Sequence, residues 1–119
     1  MASVTIYHNP RCSTSRHALS EAEDHGVEPE VVQYLKTPLE REQVLELLRI
    51  LQDPPADLVR KDAYFAERGL EAADYTTAEQ VAELLAEHPR LMQRPVLVRG
   101  DRAIIGRPKE RVAEFLTGR

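Results

Sequence analysis

Two β-prone runs, Val4–Tyr7 and Val31–Leu35, flank a single helix-length stretch, and this arrangement constrains the fold more than any other feature of the chain. Asn9-Pro10 closes the first run. Ser13, Thr14 and Ser15 follow, and their side chains can cap orphan backbone N–H groups, so a helix starts among them. Ala18, Leu19 and Ala22 continue it, and His25-Gly26 stops it, glycine being suited to the left-handed residue past a helix end. Thr37-Pro38 turns the chain out of the second run. Two strands joined through a helix pair in parallel with a right-handed crossover, so the chain is committed to an α/β fold before Pro38.

The middle of the chain is helical. Val44, Leu47, Leu48 and Leu51 recur at the spacing of one buried helix stripe, which Asp53-Pro54-Pro55 ends. Thr76 and Thr77 stand three residues before Glu79 and Gln80, two overlapping capping-box patterns, and the helix they open buries Val81, Leu84 and Leu85 before His88-Pro89. Strands return with Val96–Val98 and Ala103–Ile105 around Arg99-Gly100-Asp101-Arg102, a Gly-X turn fit for a tight hairpin. A last helix is expected to begin at Pro108 and to bury Val112, Phe115 and Leu116. The order βαβ, helical turns, ββα predicts a thioredoxin-like (glutaredoxin-like) plan: a mixed four-stranded sheet with a helical insertion between the βαβ and ββα units.

A chain of 119 residues fits one domain, here 1–119. Its net charge of −4 argues against nucleic acid as a partner. No apolar run approaches the ~20 residues of a membrane span, and MASVTIYHNP lacks the pattern of a secretion signal. One cysteine cannot form an internal disulfide, which fits the reducing cytoplasm. His8, His17, His25 and His88 have no ligand-like spacing with Cys12 or with paired carboxylates, so no metal site is expected, and a monomer is the default.

That one cysteine stands in HNPRCSTSR, residues 8–16, a locally basic stretch with no acid in an acidic protein. Such a loop suits a small anion. Cys12 falls between the C-terminal end of a strand and the N-terminus of a helix, where open α/β sheets bind ligands. The helix start contributes free N–H groups and partial positive charge, which favour a thiolate, and Arg11 and Arg16 push the same way. A lone cysteine is more often a small buried hydrophobe; the polarity of the loop and the capped helix start favour a nucleophile. The N–H groups of residues 13–16, with the hydroxyls of Ser13, Thr14 and Ser15, can cradle a tetrahedral oxyanion, and the same hydroxyls can equally serve as plain caps. His8 either orients the loop or donates to an anion.

HNP-x-C-x-TSR after a first strand, LVRKD around position 60, QRPV around 94 and GRP around 107 form a set. Together they resemble the glutaredoxin-coupled arsenate reductase family, the branch that includes the Spx-type transcription regulators, over essentially the whole chain. The resemblance implies that Cys12 is the nucleophile, that Arg60, Arg94 and Arg107 bind the substrate anion, with Ser15, Arg16 and His8 around it, and that Arg94-Pro95 is a cis peptide. It implies reduction of arsenate to arsenite with glutathione as co-substrate and no bound cofactor. Cys12 would pass through a mixed disulfide with glutathione that a glutaredoxin clears. Two alternatives stand beside it. One is a glutathione-dependent thiol/disulfide oxidoreductase whose arginines hold glutathione carboxylates. The other is a non-catalytic Spx-like module that binds RNA polymerase; Ser15, in the place of the second cysteine of a C-x-x-C switch, disfavours a disulfide-switched regulator but not one working without a switch.

Overall fold

The computed structural model describes residues 3–117. They form two compact units, one from the residues up to Thr37 together with those from Arg94 onward, the other Pro38–Gln93. The helical insertion expected between the βαβ and ββα segments is thus a unit of its own.

The first unit is built on four strands, β1 (Val4–Tyr7), β2 (Glu30–Val32), β3 (Val96–Arg99) and β4 (Arg102–Ile105), in the order β2-β1-β3-β4. β1 and β2 are parallel, with Ile6 opposite Val31, while β3 runs antiparallel to both β1 and β4. Helix α1 (Ser13–Asp24) makes the crossover and ends at Gly26, whose φ of 69° gives the left-handed exit. At the β3–β4 hairpin only Gly100 has positive φ, at 63°, and Asp101 does not, which is the backbone of a type II′ turn.

Alternation along β1 turns Val4 and Ile6 to one face, where they meet Leu97 and Ile104. Ala18 and Ala22 of α1, together with Val112, Phe115 and Leu116 of α5 (Glu110–Leu116), close over that face. Fully burying a side chain such as Ile6 contributes about 1.5–3 kcal/mol. Arg99 secures the far end of α5, its Nη1 donating to the carbonyls of Phe115 and Leu116 at 3.1 and 3.2 Å. In the second unit α2 (Arg41–Ile50) packs on α4 (Ala78–Glu87), with Val44, Leu47 and Leu48 of the one and Val81 and Leu85 of the other buried, and the short α3 (Ala63–Glu67) lies between them in sequence. Thr77 and Gln80 complete the capping box that opens α4.

Three details differ from the sequence reading. β2 ends at Val32 because the Gln33 carbonyl accepts from the N–H groups of Lys36 and Thr37, which satisfies the backbone in a local turn instead of a ladder. The residue flanking α1 is Cys12, and no hydroxyl of Ser13, Thr14 or Ser15 caps it. The last helix begins at Glu110, two residues after Pro108; the Pro108 carbonyl accepts from Arg111 N–H at 3.0 Å in the turn that leads into it.

Among the described glycines, Gly106 is the one closely approached by other side chains. A Cβ there would lie 2.8 Å from Pro95 Cγ, 3.0 Å from Leu97 Cδ1 and 3.1 Å from Val112 Cγ2. The Pro95 ring cannot swing aside. Gly106→Ala is expected to cost about 1–3 kcal/mol by overpacking, measured as a lower urea midpoint with an unchanged slope.

Candidate active site

The strand end and helix start around Cys12 are locked by one hydroxyl. Ser15, Ala18 and Ala22 share the buried stripe of α1, so the Ser15 side chain faces inward with no exposure. Its Oγ accepts from Asn9 N–H at 3.0 Å and lies 2.6 Å from His8 Nδ1. Burial first, and the neighbouring Arg16 charge, hold the His8 pKa below its usual value against the opposing pull of Ser15, so the ring is neutral at pH 7. The Ser15 hydroxyl thus bridges the Asn9 N–H and the His8 ring across the strand-to-helix junction. His8 N–H in turn donates to the Val32 carbonyl at 2.8 Å. Asn9 adds two bonds inside the loop: its carbonyl accepts from Cys12 N–H, and its Oδ1 accepts from Arg11 N–H, both at 3.0 Å.

Cys12 is half-buried, within reach of a reactant. Arg107 Nη2 approaches its sulfur to 3.3 Å, and Arg107 Nε donates to the Arg94 carbonyl at 2.7 Å. Burial pushes the thiol pKa up. Hydrogen bonding from the Ser15 N–H, the Arg94 side chain and the Thr14 N–H, with the Arg107 charge, outweighs it and leaves the pKa below its ordinary value. Arg94 Nε is buried without a hydrogen-bond partner among the described residues. Both Arg94-Pro95 and Arg107-Pro108 are cis; the family resemblance implies the first and is silent on the second.

The sequence-predicted residues therefore separate. Arg94 and Arg107 are brought to Cys12, and His8 and Ser15 lie behind it. Arg16 turns its Nη1 to the Pro10 carbonyl at 2.8 Å, and neither Arg11 nor Arg16 is among the groups that lower the thiol pKa; Arg94 and Arg107 take that part. The Arg16 N–H is spent on the Cys12 carbonyl at 2.9 Å, the Ser15 hydroxyl is spent inward, and the Thr14 and Ser15 N–H groups bond the Cys12 sulfur, which draws these four groups out of the expected anion cradle. Arg60 belongs to the Pro38–Gln93 unit. There its N–H donates to the Leu91 carbonyl at 2.6 Å, beside the Val59–Met92 bridge, and its Nε lies 3.4 Å from Asp62 Oδ2.

One residue escaped the sequence reading. Tyr34 is 1% exposed, and its phenol hydrogen-bonds with the side chains of Arg94 and Asn9. Burial raises its pKa, so it stays a neutral hydroxyl there. The sequence places it inside an apparent strand, where it reads as one more β-former. Among the described residues no group of three or more His, Cys, Asp and Glu is placed to hold a metal ion.

A half-exposed thiolate flanked by two guanidiniums and a helix N-terminus can attack an electrophilic centre that carries negative charge, the cations offsetting that charge as the bond forms. The model of the ArsC family matches residues 7–115. The chain belongs to the ArsC family. An arsenate reductase of Escherichia coli is 38% identical over 98% of this chain and 82% of its own length. The uncharacterised protein YfgD of Escherichia coli K12 is 42% identical, covering 95% of this chain and 96% of that protein. In three dimensions an arsenate reductase from Vibrio cholerae superposes with a TM-score of 0.83 at 34% identity, covering 95% of this chain and 97% of its own. Within this ArsC-family fold, no helix among the described residues is long and apolar enough to cross a membrane.

Two outcomes follow from the geometry. The alkylation rate of Cys12 against pH is expected to turn over below the ~8.5 of a free cysteine, and Arg107→Gln or Arg94→Gln is expected to move that midpoint upward. Ser15→Ala strands the Asn9 N–H and the buried His8 Nδ1, and is expected to cost about 1–3 kcal/mol in denaturant unfolding.

Proposed function

We propose that this protein is an arsenate reductase that draws its electrons from glutathione and glutaredoxin in the cytoplasm. The observation that carries the reading is the buried, unpartnered Arg94 Nε, next to a thiol that already holds Arg107. A donor buried without a partner costs about 1–3 kcal/mol, and a bound oxyanion would satisfy it. Two guanidiniums at one sulfur suit a tetrahedral, multiply charged oxyanion, because each fork can offer paired hydrogen bonds. Membership of the ArsC family and the arsenate reductases among its relatives support the same reading.

The chemistry follows from there being one sulfur. The Cys12 thiolate attacks the arsenic of arsenate; a sulfur–arsenic bond forms and an arsenic oxygen leaves as hydroxide, which takes up a proton as water. Arg94 and Arg107 offset the charge on the remaining oxygens. A glutathione thiolate then attacks the Cys12 sulfur. The sulfur–sulfur bond forms, the sulfur–arsenic bond breaks, and its electron pair stays on arsenic, which leaves as arsenite. Arsenic gains two electrons and two sulfurs lose them. A glutaredoxin thiolate takes the glutathione from the mixed disulfide and frees Cys12. With a single cysteine in the chain, the second sulfur must come from outside.

Arsenate-dependent NADPH oxidation, with glutathione, glutaredoxin and glutathione reductase supplied, tests the reading. Wild type is expected to consume NADPH only when arsenate is present, and Cys12→Ser to abolish that consumption. Turnover that ignores arsenate but follows a small disulfide would instead assign the arginines to glutathione carboxylates, as in a thiol/disulfide oxidoreductase.

A further inference from the structure

The β4–α5 turn delivers Arg107 to Cys12, and a residue from the first turn of α5 holds it in place. Arg111 is half-buried, and its Nη1 donates to two carbonyls, those of Ile105 at 3.0 Å and Arg107 at 3.3 Å. These lie on the two sides of Gly106, whose own N–H donates to the Pro95 carbonyl at 2.8 Å. The main chain of the turn is therefore pinned at three consecutive residues, twice by Arg111 and once by Pro95.

We propose that Arg111 is a positioning residue, a latch across the β4–α5 turn that keeps the Arg107 guanidinium on the Cys12 sulfur. The proposal rests on Cys12 being the reactive thiol of the reading above. The argument is one of fixed points. The Arg107 carbonyl is held by Arg111, and its Nε is held by the Arg94 carbonyl at 2.7 Å. With the backbone end and the near nitrogen both anchored, the range open to the planar guanidinium is narrowed, and its Nη2 lies 3.3 Å from Sγ. Releasing the first anchor frees the carbonyl end, so the side chain spends part of its time away from sulfur. Arg111 is not among the groups that act on the Cys12 thiol, which Arg94, Arg107 and the N–H groups of Thr14 and Ser15 reach directly; its effect passes through Arg107.

Arg99 provides the control, because its Nη1 also donates to two backbone carbonyls, at the opposite end of α5. The experiment is the pH dependence of iodoacetamide alkylation of the sole cysteine in the full chain, for wild type, Arg111→Met, Arg111→Lys, Arg99→Met and Arg107→Met, with thermal melts alongside. Arg111→Met is expected to raise the midpoint and, well below it, to slow alkylation by about threefold to tenfold, since there the thiolate fraction falls about tenfold for each pH unit by which the midpoint rises. Arg111→Lys, which keeps a cationic donor at this position, is expected to recover part of that loss. Arg99→Met is expected to lower the melting temperature comparably and to leave the midpoint where it is.

The proposal is overturned if Arg111→Met superposes on wild type while Arg107→Met does not, or if Arg99→Met moves the midpoint as far as Arg111→Met does. A wild-type midpoint at the ordinary cysteine value would sink the reactive-thiol reading and the latch together. A latch effect in a protein that reduces no arsenate would leave Arg111 in its role and remove only the choice of oxyanion.

Discussion

A single guanidinium joins the parts of this molecule that chemistry needs together. Arg107 places Nε on the Arg94 carbonyl and Nη2 on the Cys12 sulfur, so one planar group ties the segment before β3 and the segment after β4 to the loop that follows β1. The strand order β2-β1-β3-β4 makes this possible, because it sets β1 beside β3 and β3 beside β4, both pairs antiparallel, so that the strand ends leading to these residues share one end of the sheet. The bonds of Arg107 are charge-assisted on the donor side, which makes them stronger than neutral ones. The Arg107 charge also helps to lower the thiol pKa, after the Ser15 N–H and the Arg94 side chain.

Behind the sulfur, the fold supplies rigidity rather than charge. Ser15 lies on the inner stripe of α1, and its hydroxyl joins His8 and Asn9 across the strand-to-helix junction. That lock is uncharged: His8 is held neutral, and Tyr34, on the other side of Arg94, is held as a neutral phenol. The positive charge at the site is therefore concentrated in Arg94 and Arg107 and the end of α1. A site built this way gives its net cationic field to an incoming anion and leaves none to a resident carboxylate, since none of the groups acting on Cys12 is an acid.

Much of this could be read from residues. Val4–Tyr7 alternates in and out as its pattern requires, Gly26 and Gly100 take the positive φ that their turns require, and Thr77 with Gln80 caps α4. These are local signals. Where a competing interaction won, the sequence misled: the Gln33 carbonyl draws Lys36 and Thr37 into a turn and cuts β2 short, and the last helix starts after Pro108. The site was harder to read because its charges come from far along the chain. Arg11 and Arg16 adjoin Cys12 in sequence but do not act on its thiol, whereas Arg94 and Arg107 do; only family motifs named them in advance. Ser15 was available to a closer reading, since its spacing with Ala18 and Ala22 marks it as inward-facing. Nothing local marks Tyr34 or Arg111, whose places depend on tertiary packing.

We propose that one sulfur accepts arsenic and then glutathione. Intact-mass spectrometry of the protein after mixing with arsenate and glutathione, with glutaredoxin withheld, tests it most directly. The account predicts that each chain accumulates one glutathione at Cys12, released by a reductant, with one arsenite formed per modified chain. Unmodified protein beside unreduced arsenate, or glutathione on Cys12 to the same extent without arsenate, would contradict it.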